Sequence, residues 1–212
     1  GRAIRCPPVM PATTPTRLPA EWEPHERTVM GWPTETRRSQ LWREQLDTAR
    51  DVYAQVAAAV ARFEPVTMLA NPEDFDDAER RCGGEVDVVA MHIDDSWLRD
   101  SGPITVRLLD DGGSDGRRVG VHFGFNAWGE AFTPFDADRL VGAEVLDHLG
   151  IDRIDATDFV LEGGSIAVDG AGRLVTTERC LLNANRNPGL DRMQIEERLG
   201  LHFGVDHVVW CA

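Results

Sequence analysis

Short apolar runs that end on glycine, proline or asparagine alternate with segments of helical period, which restricts this chain to a mixed α/β architecture. Thr28-Val29-Met30-Gly31-Trp32, stopped by Pro33, reads as a buried strand. Leu41, Leu46, Val52, Tyr53, Val56, Val60 and Phe63 then recur at helical spacing, predicting over 39–63 one amphipathic helix, or two with little between them. Val66-Thr67-Met68-Leu69-Ala70 is the next strand, broken by Asn71-Pro72, and a short acidic helix follows over 72–82. A third strand covers 86–93. Residues 104–109 and 118–123 flank a polar, Gly-rich turn and predict a hairpin. The rest predicts a helix over 136–149, short strands over 159–161, 165–168 and 174–177, and a helix over 191–199 with Asp191 as N-cap. Val208-Val209-Trp210 reads as a further buried strand two residues before the sequence stops, and a finished domain rarely ends by opening a central element. No exact repeat and no dividing linker is visible.

A chain of 212 residues buries roughly 70% of its unfolded surface, so a stable core is feasible. Lys and Arg number 22 against 36 Asp and Glu, for a formal charge of −14. That argues against nucleic acid as a partner, because phosphates need basic patches. It suits a cationic substrate by electrostatic steering, or serves solubility alone. No apolar run approaches the ~18 residues that span a bilayer. The start, Gly1-Arg2-Ala3-Ile4-Arg5-Cys6-Pro7-Pro8, carries no apolar leader, and residues 1–17, rich in Pro and Thr, read as an extended arm. Cys6, Cys82, Cys180 and Cys211 lack paired or metal-ligand spacing and read as free thiols of a reducing, cytoplasmic compartment.

Three segments carry chemistry. In Asp94-Asp95-Ser96-Trp97-Leu98-Arg99-Asp100-Ser101-Gly102-Pro103, carboxylates lie beside an aromatic ring at a strand end. Carboxylates pair bidentately with planar guanidinium N–H forks, and an aromatic face adds cation–π attraction. The same residues also suit an acidic turn in which Asp94 or Asp95 caps backbone and Arg99 pairs internally. In Leu161-Glu162-Gly163-Gly164-Ser165, two glycines let backbone approach a ligand beside Glu162, or simply make a turn with an exposed Glu. Phe123-Gly124-Phe125-Asn126-Ala127-Trp128-Gly129 either walls a pocket through Trp128 or packs as a loop. His25, His92, His122, His148, His202 and His207 form no ligand spacing and read as structural or solvated; Cys180 reads as a packed thiol.

Together these segments resemble the agmatine deiminase family, which also contains a bacterial peptidylarginine deiminase. The resemblance runs through Leu18-Pro19-Ala20-Glu21-Trp22-Glu23-Pro24-His25-Glu26, Met30-Gly31-Trp32-Pro33, Asp95 to Pro103, Asn126-Ala127-Trp128-Gly129, Leu161 to Ile166, Thr176 to Asn183 and Asn185-Arg186-Asn187-Pro188. It implies an α/β-propeller (the pentein fold) of five pseudo-repeats, with 18–212 holding roughly three of them as a truncated domain. It implies hydrolysis of agmatine to N-carbamoylputrescine and ammonia, a step of putrescine and polyamine formation. A Cys thiolate attacks the guanidinium carbon, a His acts as acid and then base, and no metal or organic cofactor takes part. By position, Asp100 and Glu162 match the carboxylates that hold the guanidinium, and Trp97 and Trp128 line its site. Homo-oligomers occur in the family, but no segment here specifies an interface.

The departures are equally definite. The family's Gly-His-(Val/Ile)-Asp motif and its nucleophilic Cys have no match in the sequence. Cys180 and Cys211 match non-nucleophilic positions, and Ala167 stands where many relatives have His. The chain is therefore expected to be an inactive amino-terminal fragment of an agmatine deiminase. The alternatives are a non-catalytic relative that binds guanidino compounds or a protein partner, and a peptidylarginine deiminase or amidinotransferase.

Overall fold

The computed structural model describes residues 15–212, so the arm read over 1–17 lies, for residues 1–14, outside the described residues. The strands are β1 (Thr16–Arg17), β2 (Thr28–Gly31), β3 (Val66–Ala70), β4 (Val86–Ala90), β5 (Ile104–Leu109), β6 (Asp115–Gly124), β7 (Arg153–Val160), β8 (Ile166–Val168), β9 (Arg173–Thr177) and β10 (His207–Cys211). The longer helices are α1 (Leu46–Ala61), α2 (Phe75–Cys82), α3 (Asp138–Leu149) and α4 (Arg192–Phe203). None among the described residues is long and apolar enough to cross a membrane. The elements group into two compact units, one of residues 24–98 and 130–141, the other of the remaining described segments 15–23, 99–129 and 142–212.

In the first unit, β2, β3 and β4 form a parallel sheet in that order, joined by α1 and α2. All five residues of the central strand β3 are buried, as a parallel strand covered on both faces requires. Trp32, Ala54, Ala57, Val66, Met68 and Ala78 make its core. The helical pattern read over 39–63 is interrupted. Arg43 adopts φ 49, Arg38–Trp42 and Arg43–Gln45 form irregular turns, and regular helix begins only at Leu46.

The second unit holds two sheets. In one the order is β1-β5-β6-β7, with the hairpin β5–β6 antiparallel and β6–β7 parallel; in the other, β9 lies between antiparallel β8 and parallel β10. Each parallel pair needs a helical crossover, supplied by α3 and α4. Phe123, Phe159, Leu161, Leu174, Ile195, Leu199 and Phe203 share one core. Helix α3 packs on β6 at Gly120, where any Cβ would overlap the Leu146 side chain. Helix α4 opens on a capping box between Asp191 and Gln194 and ends at Gly204, whose φ of 67 is left-handed. A side chain at Gly204 would overlap the Thr16 carbonyl, and Thr16 Oγ1 donates to His202 O at 2.8 Å. Strand β7 begins well before the predicted 159–161, and Val209 of the edge strand β10 is 40% exposed where a buried strand was expected.

Candidate functional site

Asp100 sits in the helical turn Leu98–Ser101, and both its oxygens are held by neutral N–H donors. Gly164 N donates to Oδ1 at 2.8 Å, and Trp128 Nε1 donates to Oδ2 at 3.0 Å. A carboxylate held this way is fixed in orientation and retains lone pairs for a further donor.

Glu162 follows β7 in extended backbone and is 2% exposed. Its carbonyl accepts from Ser165 N at 2.9 Å and from Ser165 Oγ at 2.6 Å, closing the turn Gly163–Ser165. Glycine is required at both next positions, since a Cβ on Gly163 would overlap Arg99 O and one on Gly164 would overlap Asp100 Oδ1. The turn therefore seats Asp100 directly on the backbone that follows Glu162. The Glu162 carboxylate is paired with Arg186 through Oε1, whereas Oε2 is buried and has no hydrogen-bond partner. Orphaned buried carboxylate oxygens are rare, so Oε2 marks an open acceptor position.

Trp128 reaches Asp100 from a strained turn. Ala127, Trp128, Gly129 and Glu130 have φ of 50, 58, 81 and 62, and three of these four are not glycine. Asn126 Oδ1 accepts from Gly129 N at 2.9 Å, Asn126 Nδ2 donates to Asn185 O at 2.8 Å, and Asn185 Nδ2 donates to Trp128 O at 3.4 Å. These side chains hold the backbone left-handed and so aim the indole N–H.

The structure thus brings Asp100, Glu162 and Trp128 into one connected set. Trp97 belongs to the other unit, where it is 41% exposed. Asp94 and Asp95, equally acidic in sequence, have structural work within that unit. Asp94 Oδ2 accepts from Ala137 N at 2.8 Å and Asp138 N at 3.4 Å at the start of α3, while Asp138 Oδ1 accepts from Asp94 N at 2.8 Å and Asp95 N at 3.1 Å. Asp95 pairs with the buried Arg37 at 2.8 Å. Burial pushes the Asp138 carboxyl up to about 7, against the two backbone N–H groups that favour its ionised form. Arg99 pairs at the surface with Glu21.

His122 and His202 are buried, and burial lowers the proton affinity of both imidazoles; His202 packs edge-on against Phe123 at 5.3 Å. Cys82 is buried and its thiol is pushed up to about 11 by desolvation, Cys180 is half-buried, and Cys211 is exposed. Among the described residues no cluster of His, Cys, Asp and Glu is arranged to hold a metal ion. The residue that sequence reasoning missed is Arg186; its only signal was its place in Asn185-Arg186-Asn187-Pro188. Counted formally, two carboxylates against one guanidinium leave the set with a net negative charge, which attracts cations.

Comparison with known proteins adds the family context. The family model described as Porphyromonas-type peptidyl-arginine deiminase matches residues 17–212. An agmatine deiminase of Pseudomonas aeruginosa is 46% identical over 209 residues, covering 94% of this chain and 55% of the relative. One of Medicago truncatula is 41% identical over 208 residues, covering 93% and 54%. The structure of an agmatine deiminase of Enterococcus faecalis superposes with a TM-score of 0.86 at 34% identity, covering 96% of this chain and 55% of that one. The chain thus spans about half the length of the curated relatives it matches.

Proposed function

This chain belongs to the Porphyromonas-type peptidyl-arginine deiminase family, whose pentein fold its α/β sheets share in part, and from that premise we propose that it carries the guanidinium-holding portion of an agmatine deiminase. The reaction is agmatine plus water to N-carbamoylputrescine and ammonia, a hydrolysis at a linear amidine carbon. The observation that carries the reading is Asp100. It is a carboxylate fixed by two neutral donors, seated on the turn after a second, buried carboxylate that has one oxygen open.

In this reading Asp100 accepts from the guanidinium N–H groups of the substrate and keeps that group protonated. A protonated guanidinium has the more electrophilic carbon, and a fixed one presents that carbon to a nucleophile in a constant geometry. Glu162 Oε2 takes one further N–H donor, and Trp128 supplies the aromatic surroundings. We assign the nucleophilic role to none of Cys82, Cys180 and Cys211. The thiolate and the acid–base histidine that the resemblance implies are supplied by sequence corresponding to the remaining length of the relatives. In the cell the product feeds putrescine formation in the cytoplasm.

The test uses two proteins. The 212-residue chain is expected to bind agmatine in a calorimetric titration without releasing ammonia, and a protein extended to the length of the relatives is expected to release it. An extended protein that leaves agmatine untouched, yet turns over a peptidyl-arginine substrate, would move the assignment to the activity in the family's description.

A further inference from the structure

The proposed reaction leaves Asn185-Arg186-Asn187-Pro188 without a task, yet every polar side chain in it is committed to the site. Asn187 brackets the strand end before Glu162, its Oδ1 accepting from Val160 N and its Nδ2 donating to Val160 O, each at 3.0 Å. Arg186 Nε donates to Glu162 Oε1, with the two side chains only 9% and 3% exposed. Arg186 Nη1 donates to Asn185 Oδ1 at 2.7 Å, and Asn185 holds the Trp128 turn. Trp128 holds Asp100, and Asp100 is bonded back to Gly164. Hydrogen bonds, closed by the backbone from Glu162 to Gly164, therefore link the two carboxylates in a ring. Arg99 also lies beside the turn, its carbonyl abutting Gly163.

Burying a carboxylate as deeply as Glu162 is costly without a counter-charge, and a guanidinium also decides which oxygen remains open. We infer that Arg186 is a positioning residue: it holds Glu162 by Oε1 and leaves Oε2 free, and through Asn185 it holds Trp128 and Asp100 in register with that oxygen. The inference rests on the proposed deiminase reading for its purpose, though its test requires no substrate.

The test follows thermal unfolding of this chain against pH for wild type, R186M, R186K and E162Q/R186M. In R186M the buried carboxylate has lost its counter-charge and folds more readily with a proton bound, so the variant's deficit should shrink in acid. We expect a midpoint lowered by about 5 °C or more near pH 8 and by less than half of that near pH 5. R186K, which keeps the charge, is expected to lie between R186M and wild type at pH 8. E162Q/R186M is expected to lose the pH-dependent part of the deficit. If R186M does not fold at all, the double variant should restore folding. A deficit that is equal at both pH values, or a double variant no better than R186M, would overturn the assignment and leave the proposed reaction untouched. Failure of the wild-type chain to bind agmatine would do the reverse.

Discussion

Gly164 donates its peptide N–H to Asp100 Oδ1 at 2.8 Å, and that same oxygen fills the space in which a side chain at 164 would begin. The missing Cβ is what lets backbone and carboxylate meet. Gly164→Ala is therefore expected to displace Asp100 while leaving the fold intact, because the nearest atom is a side-chain oxygen and not backbone. Agmatine binding should weaken about tenfold, as for loss of a hydrogen bond to a charged group, with the thermal midpoint changed by only about 2 °C. Full affinity in this variant would remove the turn from the site.

Asp100→Ala in the extended, active protein is expected to lower kcat/KM by roughly 10²- to 10³-fold, the lower part of the range for leaving a charge without its partner, because Asp100 is half-buried. Glu162→Gln should weaken agmatine binding less, since Arg186 already meets that carboxylate's charge. Steady-state kinetics would check the first and calorimetry the second. A near-wild-type rate for Asp100→Ala would show that the carboxylate is misassigned.

Trp128→Phe keeps the ring and deletes the N–H that reaches Asp100 Oδ2. A loss of about 1.5 kcal/mol in agmatine affinity is expected, with thermal stability nearly unchanged. An equal loss in stability would mean that the indole serves packing.

Gly129→Ala strains a residue at φ 81 and overlaps the Asn185 side chain. We expect it to lower stability by about 1–3 kcal/mol in denaturant unfolding. Asn185→Ala is expected to act in the same direction and to be less than additive with Gly129→Ala, because both release one turn. Strict additivity would argue against a shared role.

The burial of Asp138 gives a prediction with a definite sign. Its folded-state value of about 7 lies above the ordinary 3.8, so between these limits the folded state binds more protons than the unfolded one. Stability is therefore lost as pH rises from about 4 to about 7, by at most about 4 kcal/mol at 1.36 kcal/mol per pKa unit. Asp138→Asn can still accept from Asp94 N and Asp95 N and should flatten this slope in urea titrations at several pH values. An unchanged slope would place the titration elsewhere.

What the sequence could disclose followed from how local each signal is. Val66 to Ala70 is apolar at nearly every position, so β3 is legible residue by residue. Strand β7 alternates Ile154 and Ala156 with charged and polar residues before its register shifts, and only its apolar end, Phe159 and Val160, stood out. The acids were legible as candidates but not as roles. Asp94 is fixed by partners about 44 residues away and Asp100 by one 64 residues away, and such distances leave no trace in local spacing. The left-handed run at Ala127 and Trp128 was hidden for the same reason. Asn126 and Asn185 impose it on residues with no preference for it.

The contact between Thr16 and the end of α4 also bears on the order in which the chain acquires its structure. Thr16 Oγ1 and Leu18 N bond to the carbonyls of His202 and Phe203, and Gly204 leaves room for the Thr16 carbonyl. On a ribosome moving at ~5–20 residues per second, residues 16–18 are made roughly ten seconds or more before the partner that fixes them exists. Closure of so long a loop belongs to the late steps of folding. Until then the pairing of β1 with β5 is what holds this segment, and the side of Thr16 and Leu18 that meets the end of α4 stays open.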